Sequence, residues 1–390
     1  MFSSRLPPVL AENALSQAVA AAERRGARLL DLTETNPTAV GLNYPADLAS
    51  RLAVPGADRY TPAAVGLRSA REAVAAGYAF RPHAADPDRI VLTASTSEAY
   101  ALLFKLLADP GDDVLVPQPS YPLFDLLTRL EGVQAVPYQL DPDGAWSLDR
   151  ASLAAALSPR TRAILVVSPN NPTGSILNAA DREWLIEVAA AHGAPLIADE
   201  VFADYPLRPR RDATSLAGTD RVLTFVLGGL SKSAGLPQMK LAWIVASGPP
   251  AAVEEALARL ALIADTYLSA STPVQLAAPG LLDAGRIIRE AIHARLRMNL
   301  DALDHALEPY PSIRLLPPEG GWSAVLQVPA IAPEETLAIR LVEETSVRVH
   351  PGYFFDFPRE AFFVVSLLPA PGVFAEALSR ALPLLAGDRG

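Results

Sequence analysis

No cysteine occurs anywhere in the 390 residues. That absence excludes disulfides, thiolate metal sites and cysteine nucleophiles together. Histidine is nearly as scarce. The five present are scattered, with no H-E-x-x-H or similar spacing, so no metal site is expected. No apolar run approaches the roughly 18 residues of a membrane span, and candidates such as RAILVVS and TFVLGGL are short and strand-like. Positive charge is in deficit. A net charge of −10 argues against nucleic acid and anionic membranes as partners. The N-terminus carries Arg5, two prolines and then Glu12, Asn13 and Gln17, which is not a signal-peptide pattern, so a cytoplasmic location is expected.

The most informative scarcity is lysine. Of 33 basic residues (Lys+Arg), three are lysine: Lys105, Lys232 and Lys240. Two of them stand eight residues apart in a Gly- and Ser-rich stretch, Gly228 to Lys240, GGLSKSAGLPQMK. Surface ion pairs do not explain this, because arginine serves them at least as well. A primary amine, unlike a guanidinium, can lose its proton and attack a carbonyl to form a Schiff base.

What is present is apolar and regularly spaced. Half the residues are hydrophobic, enough for a sizeable core. A first helix is expected from about Leu10 to Arg25, ended by Gly26. From residue 68 onward, amphipathic helices alternate with seven short strand candidates, at 89–94, 112–117, 133–140, 160–168, 194–200, 221–227 and 241–247. This pattern predicts an α/β fold with a mostly parallel seven-stranded sheet covered by helices on both faces. After residue 250 helices dominate, one of them at about 273–307 and long enough to join two domains. WSAVLQV, SVRVH and AFFVVSLL then read as strands before a final helix. The expected organisation is a large α/β domain over 45–285, with a smaller α+β domain built from both chain ends, 1–44 and 286–390.

In open α/β sheets, ligands bind at the carboxyl ends of the strands. Five polar clusters fall at such ends. Ser95-Thr96-Ser97-Glu98 is a capping box. Read alone it is an ordinary capped helix, but its N–H groups and hydroxyls also suit an anion. Tyr121 stands at a strand-to-helix junction, as packing or as a flat ring for an aromatic ligand. Asn171, in PNNPTG, belongs to a tight turn at the same rim. Asp199-Glu200 ends a buried strand, where a carboxylate needs a cation or donors. Ser231-Lys232 closes the series. Together they favour a phosphate-bearing aromatic cofactor held by a lysine.

In these residues the chain resembles the fold-type I aminotransferases that use pyridoxal 5′-phosphate (PLP), of the aspartate-aminotransferase-like class. The resemblance rests on PNNPTG, ADEVF and LSKSAGLPQMK in that order, and it covers nearly the whole length. It implies a transaminase that moves an amino group between a donor and a 2-keto acid through pyridoxamine phosphate. Lys232 would form the Schiff base and shuttle the proton, Asp199 would pair with the ring nitrogen, and Asn171 would bond the ring 3′ oxygen. Tyr121 would stack on the ring. Ser95, Thr96, Ser97, Ser231 and Lys240 would surround the phosphate. Tyr60 would reach the neighbouring subunit's phosphate, which implies a homodimer with a shared active site. Asn36, Trp322, Arg348 and Tyr353 are the substrate-side candidates.

The chain departs from the pattern at several places. Phe202 stands where relatives usually carry a tyrosine that donates to the 3′ oxygen. Gly229 replaces a frequent serine, and Lys240 a usual arginine. The arginine that pairs with the substrate carboxylate should fall in FFVVS, where Val364 stands. The missing clamp leaves room for a PLP-dependent β-lyase or decarboxylase on the same fold. A PLP-sensing regulator fits less well, because such proteins carry a DNA-binding segment and this chain is acidic.

Overall fold

The computed structural model describes every residue except 1, 8–9, 11, 79–84, 143–145, 209–213 and 388–390. Among the described residues, eight strands form the larger sheet. Their order is Ile90–Thr93, Ala242–Ser247, Thr224–Gly229, Leu196–Asp199, Thr161–Val167, Asp113–Gln118, Gln134–Asp141 and Ser147–Leu148. The five strands from Thr224–Gly229 to Gln134–Asp141 pair in parallel, while Ala242–Ser247 runs antiparallel to both of its neighbours. All seven expected strands are there. The eighth, Ser147–Leu148, is a two-residue antiparallel return on Gln134–Asp141, too short to leave a periodic signal.

Strand alternation builds a core on each face. Leu115, Ile164, Val166, Leu196, Ala198 and Val226 pack on one side. Val114, Val116, Ala163, Leu165, Ile197 and Phe225 pack on the other. Each large aliphatic or aromatic side chain buried this way contributes about 1.5–3 kcal/mol. Helices cover both layers, including Thr96–Leu107, Ala179–His192 and Pro250–Tyr267.

The 36-residue helix Thr272–Leu307 crosses the molecule. Near its middle it lies against the end of the short helix Leu230–Ser233, so closely that a Cβ on Gly285 would come within 2.3 Å of the Ala234 Cβ. Near its end, Asn299 Nδ2 donates to the carbonyls of Leu367 and Pro369, both at 2.8 Å. One rigid element thus ties the lysine segment to the chain's last third.

A second, antiparallel sheet orders Arg314–Leu316, Ser323–Gln327, Phe362–Ser366 and His350–Pro351. The stretch SVRVH does not form one strand. Val347–Arg348 pairs in parallel with Leu30–Asp31, and the chain then changes partner so that His350–Pro351 joins the four-stranded sheet. The first helix runs Ala14–Arg24, shorter than expected. Asn13 caps it by accepting from the Ser16 N–H, and Leu10 lies outside it, exposed. Its inner face, Ala18, Val19 and Ala22, packs on Val342 near the C-terminal end. Among the described residues, no helix is long and apolar enough to cross a membrane.

Candidate active site

The register of the large sheet brings the polar strand ends together. Asp199 lies beside Val167 on one side and Leu227 on the other, and Gly229 lies opposite Ala242, which also faces Thr93. A cavity of about 280 Å³ opens at this rim. Ser95, Thr96, Ser97, Tyr121, Asn171, Asp199, Phe202, Ser231, Lys232, Lys240 and Trp322 all line it.

Lys232 sits on Leu230–Ser233, immediately after the strand Thr224–Gly229. That strand can press against its neighbour because residue 228 is glycine. A Cβ there would stand 2.4 Å from Trp243 Nε1. Lys232 Nζ lies 4.5 Å from the Trp322 ring centroid and 5.4 Å from that of Phe202. Both rings are buried and meet edge to face, with Tyr205 completing the wall. The Tyr205 hydroxyl donates to the Lys232 carbonyl at 2.6 Å and so fixes the backbone that carries the amine. Burial pulls the ammonium pKa down to about 8, and the opposing charge of Asp199 limits the drop.

Asp199 ends its strand 8% exposed. Burial raises its pKa, while donors at both oxygens and the Lys232 charge hold it down. Oδ1 accepts from the Val201 N–H at 3.1 Å and Oδ2 from the Tyr100 hydroxyl at 2.7 Å. In PNNPTG the two asparagines divide the work. Asn170 is buried, donating to Ser120 Oγ and accepting from Thr173, and this braces the turn. Asn171 is left to face the cavity.

At the opposite end the helix Thr96–Leu107 points its N-terminus at the cavity. Ser95 Oγ accepts from the Glu98 N–H at 3.1 Å, and Glu98 reaches back to the Ala94 N–H at 2.6 Å. The first-turn N–H groups, the neighbouring hydroxyls and Lys240 make a cup for an anion.

The other candidates lie elsewhere. Tyr60 is 79% exposed, outside this cavity. Asn36 turns back on its own loop, accepting from the N–H and hydroxyl of Thr38. Arg348 pairs with Asp31 at 3.3 Å, and Tyr353 lies on the surface beside the exposed Phe354. Val364 is buried against Trp146, Phe355, Phe357 and Phe362. Three polar residues at or behind the cavity wall carry no motif: Thr35, Ser323 and Tyr100. Thr35 and Ser323 arrive from distant parts of the chain. Tyr100 reads in the sequence as one more apolar-face residue of its helix.

The donor set fits PLP. A neutralisable amine, a buried carboxylate without an ion-pair partner among the described residues, an amide and an anion cup share one cavity of suitable size. Among the described residues, no cluster of three or more His, Asp or Glu could hold a metal ion.

Comparison with known proteins agrees. The chain is 29% identical to an alanine aminotransferase of Mycobacterium tuberculosis, over 97% of its own length and 91% of that protein's. It is 27% identical to the glutamate-pyruvate aminotransferase AlaA of Escherichia coli K12, with 94% and 92% covered. The fold superposes on the alanine aminotransferase of Pyrococcus furiosus with a TM-score of 0.88, at 24% identity and 100% of both chains. An Escherichia coli aminotransferase structure gives 0.85, at 25% identity and 99% and 98% coverage. Residues 29–371 match the family described as aminotransferase class I and II, and the chain belongs to that family.

Proposed function

We propose that this aminotransferase uses Lys232 both to hold its cofactor and to carry the proton, in moving an amino group between an amino acid or amine and a 2-oxo acid. The observation that carries this reading is the placement of Lys232. Its amine has a pKa lowered to about 8 and shares one cavity with Asp199 and Asn171. The family is PLP-dependent. PLP, when bound, supplies a carbonyl carbon that accepts an amine and a ring that takes up the electron pair released at the donor Cα.

The chain's own groups do the rest. Lys232 Nζ would be the group that holds the cofactor, and its amine is placed to take and return a substrate proton as general base and acid. Asp199, as a carboxylate, would face the ring nitrogen. Asn171 would orient the 3′ oxygen, Tyr121 and Phe202 would bound the ring, and Ser95, Thr96 and Ser97 with Ser231 and Lys240 would hold the phosphate. Trp322 walls off the substrate side and excludes water.

Tyr60, exposed and outside the lining of this chain's cavity, suits a contact to a second copy's phosphate, in a homodimer with shared sites. The two main sheets support a large domain over 45–285 and a smaller one from 1–44 with 286–390. A cytoplasmic location is part of the same proposal. The strand Phe362–Ser366 offers no basic side chain for a substrate carboxylate, so the donor range is expected to differ from that of relatives with the arginine.

A panel of amino donors, with and without a carboxylate, tests the function. Each is mixed with the PLP-loaded protein, and loss of the visible band is scored beside release of the carbonyl product. A donor that bleaches the band, with pyruvate restoring it, supports the transaminase. Release of ammonia without bleaching refutes it in favour of a lyase.

A further inference from the structure

The carboxylate of Asp199 has a partner that belongs to none of the recognisable motifs. Tyr100 lies on the helix Thr96–Leu107, one turn in from the end that presents Ser95, Thr96 and Ser97 to the cavity. Its hydroxyl donates to Asp199 Oδ2 at 2.7 Å, between residues 99 apart in the chain. The ring is 3% exposed and held by Phe104, stacked at 6.0 Å, and by Phe124, edge-on at 5.4 Å. One rigid helix therefore both faces the anion end of the cavity and grips the carboxylate at the other end.

We propose that Tyr100 is a positioning residue that keeps Asp199 ionised and aimed at the cofactor's ring nitrogen. The proposal rests on the reading of Asp199 as that nitrogen's partner.

The physical reason is a competition. Burial favours the neutral acid, and a neutral Asp199 would lose its attraction for a protonated ring nitrogen. Three titratable groups face it: Tyr100 from the helix, Tyr121 from the loop before Phe124–Leu130, and Lys232 from Leu230–Ser233. Tyr121 and Asp199 interact only through charge. Lys232 cannot serve as a standing counter-charge, because its amine is the group committed to chemistry. The hydrogen-bond donors left are the Val201 N–H on one oxygen and the Tyr100 hydroxyl on the other. Each stabilises the anion and makes it a weaker base, so the proton stays on the ring nitrogen. Burial and the adjacent carboxylate push the phenol pKa well above its usual value, so Tyr100 remains a donor at all working pH.

The test is the pH profile of PLP binding to the apoprotein, followed by calorimetry or fluorescence quenching. Tyr100→Phe keeps the ring and removes the donor. Its affinity should fall about tenfold at mildly acid pH, with the acid limb displaced upward by about one pH unit. Replacing Tyr100 with 3-fluorotyrosine, a stronger donor, should move the limb the opposite way. Asp199→Asn should weaken binding and abolish that limb. If Tyr100→Phe and the fluorotyrosine protein both superimpose on the parent while Asp199→Asn does not, the proposal fails and the site reading stands. If Asp199→Asn binds PLP like the parent, both fail. Should Tyr100→Phe not fold, the fluorotyrosine protein, which retains the hydroxyl, decides by the direction of its shift.

Discussion

Lys232 is half-buried, with its amine beside the Trp322 and Phe202 rings, and its chemistry follows from that setting. Desolvation brings its pKa down to about 8, so the neutral, nucleophilic form is reached well below the range of a free lysine. The rate at which apoprotein captures PLP should therefore rise through about pH 8 and level off above it. A midpoint near the ordinary lysine value would contradict the burial argument. Phe202 makes a second prediction at this scale. A phenol there would donate to the ring's 3′ oxyanion and favour that charged form. Phe202→Tyr should thus lower the pH at which the visible Schiff-base band titrates, and an unchanged or higher midpoint would count against it. Lys232, Asp199 and Asn171 were legible in the sequence because each stands at or shortly after the end of an apolar strand. Tyr100 was not, because mid-helix and beside Leu103 and Phe104 a tyrosine reads as core, and its partner is distant in sequence. Arg348 is one of the substrate-side candidates that the structure does not bring to the cavity. The pairing of Val347–Arg348 with Leu30–Asp31 instead takes its guanidinium to Asp31.

At the scale of elements, two helix starts hold the cavity's ends. The capping box at Ser95 organises the anion cup, and Leu230–Ser233 launches Lys232 from its strand. Ser95→Ala removes an N-cap acceptor and should cost about 1 kcal/mol of stability, read as a lower urea midpoint of the apoprotein, together with weaker PLP binding. Equal stability would mean that the Ser95 bond to Glu98 is not formed in solution. Long, strongly periodic elements such as Thr272–Leu307 and the buried parallel strands could be read from apolar spacing alone. The short pieces could not. Ser147–Leu148 and Arg314–Leu316 exist because neighbours pair with them, and SVRVH breaks where its pairing partner changes.

Across the whole molecule, the first helix packs on Val342, Leu30–Asp31 pairs with Val347–Arg348, and the long helix ties the chain's last third to the lysine segment. At this scale the proposed homodimer is tested through the exposed Tyr60. If Tyr60 serves a neighbouring copy, Tyr60→Phe should weaken PLP binding without changing the protein's sedimentation. Mixing inactive Lys232→Ala protomers with Tyr60→Phe protomers should then form one site per dimer with both native residues. No gain of activity on mixing would argue for sites complete within each chain. The central claim, that Lys232 is the amine that holds the cofactor, has an unusually clean test because the chain contains only three lysines. Borohydride reduction of the PLP-loaded protein, followed by peptide mass spectrometry, should place the phosphopyridoxyl adduct on Lys232. An adduct on Lys105 or Lys240 instead, or none at all, would contradict the account.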